Sequence, residues 1–124
     1  MSSLTQLGTG VLTVRANFTA AATNTALVTA SANQRIAVTH FLVTADNANT
    51  VDVSVVIGFG LTTTPTTTKV VGAHPGIPAG GGFQSGTGSA VIGEGARGED
   101  LRITSEVPTT GSIDVVVTYI LIDG

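Results

Sequence analysis

The C-terminal run from residue 111 to residue 124 shows a clear alternation of side chains. Its odd positions, from Ile113 to Leu121, are apolar throughout and form one face of a predicted strand. Its even positions begin polar at Ser112 and Asp114 but become largely apolar from Val116 onward. In a strand that is buried on one face only, apolar and polar residues alternate along its whole length. This run therefore predicts a central strand whose outer face meets another part of the chain or another copy of it.

Residues 35–45 form a second long predicted strand that is largely apolar on both faces. One face carries Ile36, Val38, His40 and Leu42, and the other carries Ala37, Thr39, Phe41 and Val43. Residues 46–49 predict a hairpin loop, because Asp and Asn side chains bond to nearby backbone in turns. The next predicted strand, residues 50–58, places Val51, Val53, Val55 and Ile57 inward. The two strands are therefore predicted to pair as a hairpin.

The rest of the chain divides into short predicted strands separated by turn residues. They cover residues 11–18, 25–30, 69–71, 89–92 and 100–104. Residues 74–79 contain two prolines and predict an extended connection or an edge strand. The threonine-rich residues 62–68 predict an exposed loop.

With the C-terminal strand, the chain has eight or nine short strands at a spacing of about ten residues, and no segment reads as a helix. The sequence predicts an all-β, single-domain antiparallel β-sandwich, jelly-roll-like, over residues 11–124. The polar residues 1–10 predict an N-terminal arm that is ordered against a neighbour. A chain of 124 residues is long enough to bury a core without covalent staples.

Composition narrows the classes of partner. Charged residues are 10% of the chain and the net charge is −3, which argues against a nucleic-acid surface. There is no cysteine for a disulfide or a thiolate zinc site. No window approaches the roughly 18 uninterrupted apolar residues of a membrane helix. The start lacks the features of a secretory signal, so synthesis in the cytoplasm is predicted. The low charge also indicates a surface that is largely covered in the working state.

Two loop motifs invite a ligand-binding interpretation, and neither meets the chemical requirement. Residues 93–98 match G-x-G-x-x-G, but no helix follows and the loop carries an acid, so its glycines are interpreted as turn residues. Residues 46–52 resemble a calcium loop only faintly, because Ala48, Thr50 and Val51 stand where acids or amides and a glycine are needed.

The remaining reactive residues do not form a predicted site. His40 lies within a strand and His74 precedes a proline, so both are interpreted as ordinary histidines, although one from each subunit could meet on a symmetry axis. The carboxylates near the C-terminal end, Glu94, Glu99, Asp100 and Glu106, lie in or beside turns, which suits solvation better than acid–base work. No G-x-S-x-G nucleophile elbow is present. The sequence predicts no catalytic, cofactor-binding or metal-binding residue, and hence no enzyme, no cofactor and no small-molecule substrate.

The order of segments along residues 30–122 resembles a known class of protein. It comprises the strand at residues 35–39, the segment 51–57, the run 77–82 (Ile-Pro-Ala-Gly-Gly-Gly), the strand 98–103 (Gly-Glu-Asp-Leu-Arg-Ile) and the closing strand 111–119 (Gly-Ser-Ile-Asp-Val-Val-Val-Thr-Tyr). This pattern is similar to that of the small jelly-roll head decoration, or cement, proteins of tailed bacteriophages. The threonine-rich residues 62–68 have no counterpart in the resemblance.

The resemblance implies a structural protein on the capsid surface of a virion, made in the host cytoplasm. Such proteins form trimers and clamp neighbouring capsid subunits, so the implied partners are two further copies of the chain and the major capsid protein. The candidate oligomer interface then comprises Phe41, Val43, Val116, Ile120 and Ile122. Leu4 and Leu7 belong to the candidate arm that contacts the capsid. Neither nucleic acid nor a membrane is an expected partner.

Two other functions remain open at the level of sequence. One is a phage tail or fibre module whose jelly-roll domain binds a host surface glycan, although the chain has no tryptophan and a single tyrosine for a sugar platform. The other is a cytoplasmic enzyme with a β-sandwich fold, which would need convergent polar side chains on a concave face.

Overall fold

A computed structural model describes residues 10–59, 70–105 and 111–123 of the chain. The secondary-structure elements of these residues are nine β-strands. Their bounds are β1 Val11–Phe18, β2 Ala22–Val28, β3 Gln34–Ala45, β4 Val53–Phe59, β5 Val70–Ile77, β6 Gly82–Ser85, β7 Gly93–Glu94, β8 Leu101–Ser105 and β9 Ile113–Asp123.

The strands form two antiparallel sheets that pack as a sandwich. Sheet 1 has the order β1-β9-β3-β6, with β7 also paired to β3, and sheet 2 has the order β2-β8-β4-β5. When β6 and β7 are taken as one interrupted strand, consecutive strands alternate between the sheets except at β4 and β5. This is the wrapping of an eight-stranded jelly roll. The predicted fold class is therefore confirmed.

The hairpin predicted over residues 35–58 is wrong. Both strands exist, but β3 lies in sheet 1 and β4 in sheet 2. β3 pairs with β9 from Gln34↔Asp123 to Ala45↔Ile113 on one side and with β6 and β7 on the other. Because both of its edges are occupied, β4 crosses to the other sheet and pairs with β5 and β8.

Several predicted boundaries also change. β2 begins at Ala22 rather than at residue 25, and residues 89–92 contain no strand. The proline-containing segment extends β5 to Ile77 at the edge of sheet 2, in agreement with the predicted edge strand. The predicted arm with Leu4 and Leu7 and the threonine-rich residues 62–68 lie outside the described residues, and the arm stays a prediction.

The core lies between the sheets and is built from branched aliphatic side chains and phenylalanine. Phe41 of sheet 1 and Phe59 of sheet 2 are its largest members, and both are fully buried. Phe41 meets Phe83 edge to face, with ring centroids 5.2 Å apart and an interplanar angle of 73°. Its ring also fills the space above Gly72 of β5, where a Cβ atom would overlap it. Gly72 thus lets an aromatic ring from one sheet reach the backbone of the other.

A bulge in β3 sets which side chains enter this core. The register with β9 shifts between Val38 and His40, so that Thr39 is the extra residue. Before the bulge Ile36 and Val38 face the core, and after it Phe41, Val43 and Ala45 do. The strict alternation predicted for residues 35–45 therefore fails at Thr39.

Because of this bulge, the prediction that Phe41 and Val43 belong to an oligomer interface is wrong. Phe41 and Val43 are 1% and 0% exposed, and both pack in the core of their own chain. They are consequently not available to contact another subunit.

The loop after β3 is fastened to the start of β9 by one buried amide. The Asn49 side chain donates to Ser112 O (3.2 Å) and accepts from Ser112 N (2.9 Å), which imitates a strand pairing. Asp46 N also donates to Ser112 O, at 3.0 Å. Gly111 precedes this contact with a φ of 105°, and a Cβ there would overlap the Asn49 side-chain oxygen. Glycine is thus required by both conformation and space.

Gly72→Ala should lower the free energy of unfolding by about 1–3 kcal/mol, because its methyl group overpacks the core against the Phe41 ring. Urea denaturation measures this loss. Gly10→Ala is the matched control, since its Cβ would lie 3.8 Å from Ile120 Cγ2, an ordinary contact distance. Adding Phe41→Leu to Gly72→Ala should cost less than the sum of the two single changes, because the smaller side chain makes room. Additive losses would contradict this packing.

Asn49→Ala should destabilise the fold by about 1–3 kcal/mol, because Ser112 N loses its acceptor and Ser112 O keeps only the bond from Asp46 N. Thermal unfolding followed by circular dichroism provides the measurement. Asn47→Ala, at an exposed position of the same loop, should change stability by less than about 0.5 kcal/mol. Equal effects of the two changes would show that the Asn49 bonds contribute no stability of their own.

Candidate interaction surface

The outer face of sheet 1 carries a group of aliphatic side chains centred on β9. We define the aliphatic surface as Val116, Ile120 and Ile122 of β9, Leu42 of β3 and Val11 of β1, with Ala37 of β3 fully buried beside Ile120. Register places them side by side, because Val11 and Ala37 flank Ile120 and Leu42 flanks Val116. The β9 members are half-buried by their neighbours in the sheet. The face opposite the core therefore carries aliphatic groups on both sides of a polar row formed by Thr13, Thr118 and His40, and Arg15 lies beside Val116.

Polar and charged groups border this surface. Arg35 and Glu94 form an ion pair at one end. At the other end the Asn17 side-chain amide donates to Asp114 Oδ1 at 2.7 Å. His40 Nε2 lies 3.2 Å from Gln84 Oε1 beside Leu42. Aliphatic side chains mixed with polar ones are compatible with a protein–protein interface, which is on the whole about as apolar as the rest of a protein surface.

Three of the five residues predicted for an oligomer interface lie on this surface, and the interface itself stays a prediction. Val116, Ile120 and Ile122 lie on the surface, whereas Phe41 and Val43 do not. Leu42 was missed, because the bulge at Thr39 turns it outward. A signal was present in the sequence, since an unbroken alternation would have placed His40 in line with the core residues Ile36 and Val38.

The glycine-rich segment after β6 serves the sheet and not a ligand. The backbone N–H groups of Ile92, Gly95 and Gly98 donate to the carbonyls of Val38, Ile36 and Gln34, at 2.7, 3.0 and 2.8 Å. A phosphate-binding loop needs such N–H groups free to point at the anion. The residues that match G-x-G-x-x-G therefore extend the edge of β3, in line with their interpretation as structural glycines.

The titratable residues are dispersed. Among residues 10–59, 70–105 and 111–123, no three His, Asp or Glu side chains lie close enough together to hold a metal ion. Asp100 pairs with Arg102 at 3.1 Å and accepts from Ala30 N at 3.0 Å. His74 packs against Phe83 and accepts from Gly76 N. The side chains of Asp100 and His74 are therefore bound by other residues of the same chain.

A polar depression lies where the loop after β3 meets β9. Its volume is about 440 Å³, and it is lined by Thr44, Asp46, Asn47, Ser112 and Asp114, among others. Sites for small organic ligands are mostly apolar with a few convergent polar groups. This depression has the opposite character, so the aliphatic surface is the stronger candidate for function.

None of the described residues forms a helix of the length and apolarity that crossing a membrane requires.

Comparison with known proteins reveals likeness in fold. Neither a protein-family model nor a curated protein matches the sequence. A chain of the acidic stable capsid structure of the Helicobacter pylori bacteriophage KHP30 is 14% identical, with 94% of each chain covered and a TM-score of 0.56. A chain of the capsid of Ralstonia phage GP4 is 15% identical over 90% of this chain and 84% of that chain, with a TM-score of 0.49. A chain of the cyanophage Pam1 capsid asymmetric unit is 17% identical over 91% and 87%, with a TM-score of 0.42. The chain thus shares its fold, along nearly its full length, with a chain found in the KHP30 capsid.

Proposed function

We propose that this protein is a structural component of a phage virion that binds the assembled capsid shell and stabilises it. The observation that carries the proposal is the likeness to a chain of the KHP30 capsid, which covers 94% of both chains. The absence of a predicted site for chemistry in the sequence supports a role without catalysis.

The mechanism is thermodynamic. A protein that binds the assembled shell and not its free subunits shifts the assembly equilibrium by mass action. An oligomer that contacts several capsid subunits at once gains further through effective concentration. Such a role needs surfaces that bind other proteins. Contact between the aliphatic surface and water is unfavourable, so burying this surface against another protein would stabilise the assembly.

The finer proposal is a homotrimer on the outside of the capsid. Val116, Ile120 and Ile122 lie at the centre of the aliphatic surface and are proposed as the contact between subunits. The N-terminal arm with Leu4 and Leu7 is proposed to contact the major capsid protein.

Mass spectrometry of density-gradient-purified particles tests the coarser proposal. Particles produced from the phage genome that encodes this chain should contain it in a fixed ratio to the major capsid protein. Deleting the coding sequence should leave particles that lose DNA at a lower temperature. If the protein stays in the host lysate and never sediments with particles, the proposal is wrong. Its presence only on detached tails would favour the glycan-binding alternative.

Ile120→Asp should weaken self-association, because it places a charge on the aliphatic surface between Val11 and Ala37. The expected rise in the dissociation constant is at least about tenfold, which corresponds to about 1.4 kcal/mol. Sedimentation equilibrium measures it, and a trimer contact predicts a mass of three times 12.4 kDa, or a multiple of that mass, for the unchanged protein.

Val51→Asp provides the matched control for that experiment. Val51 is 61% exposed and lies on the loop between the sheets, away from the aliphatic surface. Both variants should keep the circular dichroism spectrum of the parent protein. Loss of self-association in the control alone would place the subunit contact elsewhere.

A further inference from the structure

Among the described residues, three of the four sheet edges are interrupted in ways that disfavour the addition of another strand. β2 carries two register shifts, and Asn24 within it has a φ of 51°. β5 has two shifts in its pairing with β4 and contains Pro75, which lacks an N–H group. The far side of sheet 1 consists of the short strands β6 and β7 with an irregular segment between them. Bulges, prolines and short edge strands are the usual protection against edge-to-edge pairing.

The fourth edge, β1, has none of these features. Its register with β9 runs without a shift from Val11↔Ile120 to Phe18↔Ile113. The strand contains neither proline nor glycine, and Arg15 is its single charged residue. Among the described residues, β1 pairs with β9 alone. An eight-residue strand of this kind presents a regular row of backbone groups.

The hydrogen-bond parity of β9 shows which backbone groups point outward from β1. Ser112 O accepts from Asp46 N, and Thr118 O accepts from the Thr39 hydroxyl, so even residues of β9 point their backbone toward the β3 side. Odd residues of β9 must then point toward β1, because the direction alternates along a strand. Their partners in β1 are the even residues. The odd residues Val11, Thr13, Arg15 and Asn17 therefore direct their N–H and C=O groups away from the sheet.

The side chains of β1 are also poorly covered. Val11 and Leu12 are 57% and 37% exposed, on opposite faces of the strand. A strand added beside them would continue both faces of the sheet. On the outer face the added residues would lie next to the row formed by Val11, Ile120 and Ala37.

We propose that the β1 edge binds a second copy of this chain, β1 to β1 and antiparallel, with the two Val14 residues facing each other. In this register Thr13 lies opposite Arg15, Val11 opposite Asn17, and Leu12 opposite Ala16 of the other copy. No like charges oppose each other, whereas moving the centre to Arg15 would pair the two arginines, which is unfavourable. The pairing satisfies the outward-pointing backbone groups of all four odd residues on each copy.

This contact is isologous, so it closes between two subunits and leaves no free β1 edge on either. It is distinct from the threefold contact proposed above, and it would join subunits of two different trimers. The mass of the unchanged protein in solution distinguishes β1 pairing from the trimer contact. A dimer or a hexamer agrees with β1 pairing, whereas a monomer or an isolated trimer at high concentration overturns it. An isolated trimer would leave the proposed function intact.

Thr13→Pro tests the edge directly. Thr13 points its N–H group outward, so proline there removes a bond to the second copy and none to β9. The dissociation constant of the β1 contact should rise at least tenfold by sedimentation equilibrium, while Thr13→Ala should leave it within twofold. Unchanged association of a folded Thr13→Pro variant overturns the proposal.

A cysteine pair tests the register without depending on proline. The chain has no cysteine, so Val14→Cys introduces a single thiol that would face its counterpart. Opposed residues of a non-hydrogen-bonded antiparallel pair are close enough for a disulfide. Mild oxidation should convert most of the Val14→Cys protein to a covalent dimer. Asn17→Cys is the control, because the two copies of residue 17 would lie about 20 Å apart in this register. Equal crosslinking of the two variants, or none of Val14→Cys, overturns the proposed pairing.

Discussion

The bulge at Thr39 controls which side chains of the central strand β3 are buried. By adding one residue opposite β9, it reverses the alternation halfway along the strand. Phe41 turns inward and packs against Phe83 and Gly72, while His40 and Leu42 turn outward. The interlocking of the two sheets and the composition of the outer face both depend on this reversal. A regular strand would place the Phe41 ring in solvent and a histidine in the core.

Glycine has two different roles in this sandwich. At Gly72 the missing side chain makes room for an aromatic ring from the opposite sheet. In the segment that includes Gly95 and Gly98, it lets an irregular backbone follow β3 and donate hydrogen bonds to it. The second role uses the same N–H groups that would otherwise be available to an anion. The sixteen glycines of the chain therefore indicate close packing of backbone and do not by themselves indicate a ligand.

The two proposed contacts rest on different features of the described residues, the aliphatic surface and the β1 edge. Side-chain burial on the aliphatic surface is non-directional and tolerates a range of partners. Strand pairing at β1 is directional, because backbone hydrogen bonds specify both register and orientation. Together, the two proposed contacts would combine apolar area with geometric specificity.

The amino-acid sequence alone determined the all-β class, the approximate positions of β1, β3, β8 and β9, and the apolar character of the outer side of β9. These features follow from the period of two along a strand, which is a local property of the chain. The pairing of the strands, in contrast, depends on residues that are far apart in the sequence. The tertiary structure separated β3 from β4, because β9 and β6 occupy both edges of β3. It also placed Phe41 and Val43 in the core through the bulge at Thr39. Register shifts of this kind are settled by packing between sheets, where a ring from β3 must meet a glycine about thirty residues away in the chain.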